Sequence, residues 1–326
     1  MDDARRAGLA AWLPDGVNIV AMSLMSGGAI QQNWKLDVTV EGAAQGWVLR
    51  TDSTATLSHS RPRAEEFALL RAAFDAGVSV PEPLMLCNDL SVIGTPFFIM
   101  RRLDGTGAAH RIVRSESLGG GRAALTTSLG RELAKIHSIG PSHAKLGFLT
   151  LHPQTTPGLR FVAEMRAHLD AAGKPQPILE WGLRHLERYA PPSADIVLCH
   201  NDFRTGNYMV DEGRLSGVLD WEFAGWGDPH EDLGWLCATC WRFGSPHAVG
   251  GVGSREVLYG AYERASGRKV DDNAVRFWEI AATIRWAVIA LSQAQRHISG
   301  TEPSLELALT GHIVPELERD IMLATS

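Results

Sequence analysis

No segment of this 326-residue chain gathers Lys and Arg into the run or stripe that a nucleic-acid backbone requires. The formal net charge of −6 and a pI near 6.1 point the same way, so nucleic-acid binding is not expected and a protein that handles small molecules is. An apolar run long enough for a bilayer is missing too. The most apolar late segment, FWEIAATIRWAVIALSQAQ, is broken by Glu279 and Arg285 and reads as a buried helix, so no membrane span is expected. The opening residues, MDDARRAGLAAWLPDG, start acidic and lack the apolar core of a secretory signal. They predict a short amphipathic helix stopped by Pro14 and Gly16, and a cytoplasmic location. Cysteine is scarce: Cys87, Cys199, Cys237 and Cys240 are too few to staple a chain of this size, and a reducing compartment would keep them as thiols. Cys237 and Cys240 form a C-x-x-C, but a single pair within DLGWLCATCWRF reads as two buried residues of an apolar helix before it reads as a zinc or redox site. Internal repeats and low-complexity tracts are absent.

What is present is a 45% apolar composition, ample for a core and incompatible with disorder. The length favours one large domain or two lobes sharing a cleft. From Ile19 to about Arg50 the pattern alternates as an antiparallel meander: NIVAMSLM, a glycine pair, NWKLDVTV, a turn over Glu41 to Gly46, and GWVLRT. RAEEFALLRAAFDAG then has helical spacing with a stop at Gly77, and VIGTPFFIMRRL returns to strand. The first hundred residues thus predict a small sheet with one helix packed across it. Past LDGTG the texture turns helical, in RAALTTSLGRELAKIHSI, LRFVAEMRAHLDAAG, ILEWGLRHLERYA and most of the chain from Ser254. Two short strands, DIVLCHND and YMV…LSGVLD, interrupt it. The expected division is 1–103 and 104–326, an α+β chain with an antiparallel-sheet lobe and a larger helical lobe.

One stretch concentrates acceptor groups: LCHNDFRTGNYMVDEGRLSGVLDWEFAGWGDPHEDLGW, Leu198 to Trp235. Within it His200, Asp202 and Asn207 have the pattern H-x-D-x-x-x-x-N, and Asp220 follows on a hairpin strand. This is the spacing of a phosphotransfer loop, in which one Asp accepts the acceptor hydroxyl's proton while an Asn and a second Asp hold Mg²⁺. The base must face the acceptor oxygen while the metal ligands sit on the nucleotide side, and a loop running into a hairpin places all three in one cleft. Mg²⁺ keeps several waters, so one carboxylate, one amide oxygen and the phosphates of ATP make an ordinary ligand set. Turn chemistry also favours Asn and Asp, but the three-residue match arises by chance on the order of once in a hundred chains of this length.

These segments resemble the aminoglycoside phosphotransferase superfamily, small-molecule kinases of protein-kinase-like fold that include the choline kinases. SGGAIQQNWKLDV, WVLR, RAEEFALLRA and SVIGTPFFIMRRLDG follow the family order, so the likeness runs from about Ser26 to Phe243. It is nearest to the branch of kinase-like domains fused to some acyl-CoA dehydrogenases. The resemblance implies Asp202 as catalytic base, Asn207 and Asp220 as magnesium ligands, His200 as a brace of the loop, and Asp232 as the buried anchor of the loop backbone. Glu222 and Asp228 read as metal-shell, capping or turn residues, with Asp228 in a Gly-Asp-Pro turn. Ser26, Gly27 and Gly28 stand where such a fold covers the phosphates, and Met100, Arg101, Arg102 and Leu103 where its backbone reads adenine. One departure stands out: Arg50 occupies the place of the phosphate-holding Lys, with Glu66, or alternatively Glu65, as its acid. The two cations differ in reach and shape, which leaves altered activity open.

The implied activity is ATP- and Mg²⁺-dependent phosphorylation of a hydroxyl on a small molecule. The rivals are a nucleotide-binding pseudokinase and a choline or aminoglycoside kinase. The acids after Gly244 are interleaved with Arg255, Arg264, Arg268, Arg276, Arg285 and Arg296, which does not suit a polycationic acceptor. Trp226, Trp235, Trp241, Trp278 and Trp286 would supply an aromatic cage for choline or, more in keeping with their helical spacing, part of the core. A neutral or anionic hydroxylated metabolite, such as a hydroxyacyl compound, is the expected acceptor. The sequence carries no signal for the oligomeric state.

Overall fold

The computed structural model describes residues 1–25, 31–52, 61–192 and 195–326. Helix α1 (Asp3–Trp12), capped by the Asp2 side chain, leads into strands β1 (Val17–Leu24), β2 (Gln31–Val40) and β3 (Ala43–Asp52). The β2–β3 turn is only Glu41-Gly42, both at positive φ, which matches the twist of a tight hairpin; the longer turn expected from the sequence is mostly strand. Helix α2 (Arg63–Asp75), β4 (Pro83–Cys87), the single turn α3 (Leu90–Ile93) and β5 (Phe97–Arg101) complete a five-stranded antiparallel sheet in the order β1-β2-β3-β5-β4. β5 therefore lies inside the sheet, between β3 and β4, and is not an edge. Strand β4 was not expected from the sequence.

Alternation along the strands assigns the two faces. Leu36, Val38, Trp47, Leu49, Phe97 and Ile99 pack with Leu9 and Leu13 of α1, so a second helix covers the face opposite α2. Phe98 faces the other way and packs with Leu69 and Leu70 of α2. Val48, Arg50 and Met100 share that inner face and line a cavity.

The helical part follows: α4 (Ala109–Arg114), α5 (Arg122–Ile136), α6 (Pro157–Ala172) and α7 (Pro177–Arg188). Then come β6 (Val197–Cys199), the β7 (Tyr208–Val210) and β8 (Leu215–Val218) hairpin, β9 (Gly225–Gly227) and α8 (Pro229–Cys237). The chain closes with α9 (Arg255–Ser266), α10 (Asp272–Ile298), α11 (Leu305–Gly311) and α12 (Val314–Ala324). β9 pairs back onto β6, an element the sequence did not disclose, and so closes the acidic stretch into a loop pinned at both ends. Helix α8 stops at Cys237, where Ala238 turns to ψ 140°, so the C-x-x-C is not one helix and Cys240 sits in a separate 3₁₀ turn. One apolar core runs from Leu70 and Phe98 on the sheet side to Tyr208, Val218 and Leu236 on the helical side. Among the described residues no helix is long and apolar enough to cross a membrane.

Candidate active site

His200 begins the loop at the end of β6, and a buried carboxylate fixes its backbone. Asp232, in the first turn of α8, accepts the backbone N–H of His200 at 2.7 Å and of Asn201 at 2.8 Å. Asn201 is held at φ 62°, a left-handed conformation that Asn tolerates better than most residues. Behind Asp232, His137 at the end of α5 places Nε2 at 3.2 Å and joins through Nδ1 to the Tyr262 hydroxyl at 2.9 Å. Burial alone would raise the Asp232 carboxyl, but His137 and the backbone donors hold it below the usual carboxylate range. His137, Cys199 and Asp232 place three potential ligand atoms together, yet all are buried and already engaged, with the Cys199 thiol donating to the Asp228 carbonyl.

The His200 ring ties the loop to the strand that carries Asp220. Its Nδ1 accepts the Asp202 N–H at 3.3 Å and its Nε2 donates to the Leu219 carbonyl at 2.8 Å. The Leu219 N–H in turn donates to the Asn207 carbonyl at 2.8 Å. Leu219 is thus gripped on both sides, and the next residue, Asp220, is set against the loop in a left-handed conformation of φ 60°. Asp202 is largely enclosed, and burial raises its carboxyl against the opposing pull of Arg204, His200 and Trp235. The Asn207 amide nitrogen donates to the Asp202 carbonyl at 3.0 Å and also to its carboxylate.

Arg50, on the central strand β3, meets Glu66 of α2 at 2.7 Å and Asp220 at 3.0 Å. Glu65 pairs instead with Arg61 at 3.1 Å, which decides between the two acids. Burial disfavours the charge on Arg50, but Glu66 and Asp220 outweigh it and the guanidinium stays protonated. Arg63, fully buried, pairs with Asp52 at 3.1 Å and with the other oxygen of Glu66. Glu222 is pushed up to about 7 by burial, with Arg50 opposing the shift. Asp228 is the N-cap of α8, accepting the His230 N–H at 2.9 Å and the Trp278 N–H at 3.2 Å.

A cavity of about 460 Å³ opens over these groups, lined by Val48, Arg50, Glu66, Met100 to Leu103, Val218 and Asp220 among others. Lys35 and Asn33 of β2 also border it. The Arg101 N–H donates to the Glu82 carbonyl and the Arg102 N–H to the Gly46 carbonyl, each at 2.9 Å. Among the described residues no backbone acceptor engages Leu103 N–H. Ser26, Gly27 and Gly28 lie outside the described residues. Arg204 donates from Nε to Asp202 Oδ1 at 3.0 Å, and Trp235 Nε1 donates to the same oxygen at 2.9 Å. Neither was singled out from the sequence for this contact. Trp235 lies 33 residues away, so no local pattern marks the pair, whereas Arg204 stands two positions past Asp202 within the motif itself. The other tryptophans considered for a cage, Trp226, Trp241 and Trp278, are buried in the core, and Trp286 is half-buried against it.

Comparison with known proteins places the chain in a family. The model of the phosphotransferase enzyme family matches residues 22–278. The chain belongs to that family. Among curated relatives, it is 28% identical over 304 residues to human acyl-CoA dehydrogenase family member 11, covering 84% of this chain and 36% of the relative. It is 32% identical over 198 residues to mouse acyl-CoA dehydrogenase family member 10, covering 58% of this chain and 18% of the relative. The chain therefore spans well under half of the curated relatives it matches. Among solved structures, a choline/ethanolamine kinase family protein from Mesorhizobium loti superposes with a TM-score of 0.63 at 17% identity, covering 99% of this chain and 94% of that one. A spectinomycin phosphotransferase in complex with ADP and spectinomycin superposes with a TM-score of 0.63 at 14% identity, covering 95% and 94%. At these identities the superpositions establish the protein-kinase-like fold.

Proposed function

We propose that this chain is an ATP- and Mg²⁺-dependent phosphotransferase that acts on a hydroxyl of a small molecule. The observation that carries the reading is the state of Arg50. It is 95% buried, it lines the cavity, and its Nη2 has no hydrogen-bond partner among the described residues. Glu66 and Asp220 already flank it, and a triphosphate that takes the place of Asp220 would meet a buried cation on the cavity wall with a donor left over. The Asn207 amide oxygen and the second oxygen of Asp220 are hard donors suited to magnesium. When bound, the ion would neutralise charge on the β- and γ-phosphates. Glu66, itself held by Arg63, keeps the Arg50 fork oriented toward the phosphates. Asp202 receives the acceptor hydroxyl's proton as the oxygen bonds to the γ-phosphorus and the bridging P–O bond breaks, releasing ADP. The Leu103 N–H, without a backbone acceptor among the described residues, is the donor within Met100 to Leu103 that would read the base.

The acceptor side favours neutral or anionic compounds over a polycation. Glu231, Glu263, Asp272 and Glu279 of the helical region are each paired with Arg285, Lys269, Arg276 and Arg255 respectively. The cation nearest Asp202 is Arg204. The test is Asp202→Asn assayed with kanamycin, choline, hydroxy acids and hydroxyacyl thioesters. Mg-ATP binding should persist while phosphotransfer falls by about 10²-fold or more. Equal turnover in parent and variant would remove Asp202 from the chemistry, and turnover confined to kanamycin or choline would overturn the acceptor class.

A further inference from the structure

Helix α8 meets the loop with two residues of one face. Asp232 binds the loop backbone, and Trp235, three positions on, binds the Asp202 side chain. The end of the helix at Ala238 then folds Trp241 back against Trp235, with ring centroids 5.4 Å apart, and Trp241 meets Trp286 in a tilted contact at 5.0 Å. The Arg204 guanidinium lies over Trp241 at 4.6 Å, so the aromatic group fixes the arginine as well. Both donors converge on a single atom, Asp202 Oδ1. The other oxygen, Oδ2, takes one donor, from Asn207.

We infer that Trp235 and Arg204 are positioning residues: they saturate Oδ1 of Asp202 and leave Oδ2 to take the acceptor's proton. The inference rests on the phosphotransfer reading above. A carboxylate in a cleft can rotate about its last bond and present either oxygen. Two converging hydrogen bonds to a charged acceptor, one of them from a rigid indole, remove that freedom. Arg204 reaches the carboxylate from the loop itself and Trp235 from the helix below, so the oxygen is held from two elements at once. The proton leaves the hydroxyl for Oδ2, the alkoxide oxygen bonds to the γ-phosphorus, and ADP departs with the bridging oxygen.

Trp235→Phe keeps the ring and deletes only the N–H. Arg204→Lys keeps the charge and deletes the Nε donor and the guanidinium that lies over Trp241. In the full chain each should lower kcat for ATP turnover about 10- to 100-fold. The Kd for Mg-ATP should stay within about twofold, because neither residue lines the nucleotide cavity. A purely structural role would instead lower the melting temperature and leave turnover per folded molecule unchanged. The Trp235 indole ¹H–¹⁵N resonance, assigned as the one lost in Trp235→Phe, should shift in Asp202→Asn, while that of Trp181, bonded to Thr325, should not. An active parent beside an equally active Trp235→Phe, or an unmoved Trp235 resonance, overturns the inference alone. A parent that binds Mg-ATP and transfers nothing overturns the phosphotransfer reading and this inference with it. Should Trp235→Phe not fold, the part-exposed Arg204→Lys carries the same comparison.

Discussion

Asp202, part-buried, and Asp232, fully buried 30 positions on, show opposite electrostatics, and the contrast predicts unequal stability effects. Asp202 has its carboxyl raised by burial, so the fold works against its charge. Asp232 has its carboxyl lowered because His137 and two backbone N–H groups favour the charge. Asp202→Asn removes a charge that the fold disfavours and turns its amide toward a single side-chain donor, that of Asn207, so it should cost less stability than Asp232→Asn. Asp232→Asn turns an amide toward the N–H groups of His200 and Asn201, setting donor against donor in a dry site. A loss of about 3 kcal/mol is expected. Urea unfolding midpoints of the two variants measure this, and an Asp232→Asn chain as stable as the parent would contradict the anchoring role. The motif residues Asp202, Asn207 and Asp220 were legible in the sequence because a short loop and hairpin bring them together locally. His137 and Trp235 were not, since their partners lie 95 and 33 residues away and only the tertiary fold supplies the contact.

Among elements, the helices α2, α5, α6, α7 and α10 follow the 3.6-residue period and were readable from it. β4 and β9 were not, because β4 opens on Pro83 and β9 is Gly-Trp-Gly, residues that read as turn or loop. The end of α8 was hidden for another reason. Its apolar pattern continues past Cys237, while the helix ends at Ala238 to fold Trp241 onto Trp235. α8 also depends on a close approach that only glycine allows. A Cβ built at Gly234 would lie 2.4 Å from the Trp278 Cβ and 2.8 Å from its carbonyl carbon on α10. Neither atom is the far end of a flexible side chain, so Gly234→Ala must push the two helices apart. The expected cost is about 1–3 kcal/mol or more. Because Asp232 and Trp235 flank Gly234, turnover should fall more than Mg-ATP affinity does. Thermal unfolding and steady-state kinetics of that variant test the claim, and a neutral effect on both would show that α8 can shift without disturbing the loop.

For the whole molecule, the cavity draws its lining from β2, β3 and β5 of the sheet and from Val218 and Asp220 on the helical side. A ligand there ties together parts that already share one core through Phe98, Tyr208 and Val218. Binding to the folded state alone should therefore raise the temperature of global unfolding. At a ligand concentration of 100 times Kd the gain is about 2.7 kcal/mol. Since each kcal/mol moves the midpoint of a domain of 150–250 residues by about 2–4 °C and that of a longer chain by less, a rise of a few degrees follows. Arg50 and Asp220 set its ionic dependence. They neutralise each other at 3.0 Å, so ATP alone meets a cation already partnered. Mg²⁺ offers Asp220 a replacement partner and frees the Arg50 fork for phosphate, so the two ligands should reinforce one another. ATP with Mg²⁺ should give the full shift and either alone much less. Asp220→Ala should abolish the magnesium requirement, and Arg50→Ala should remove most of the shift. Differential scanning calorimetry reads all five cases. An equal shift with ATP in the presence and absence of magnesium would show that Asp220 takes no part in holding the nucleotide.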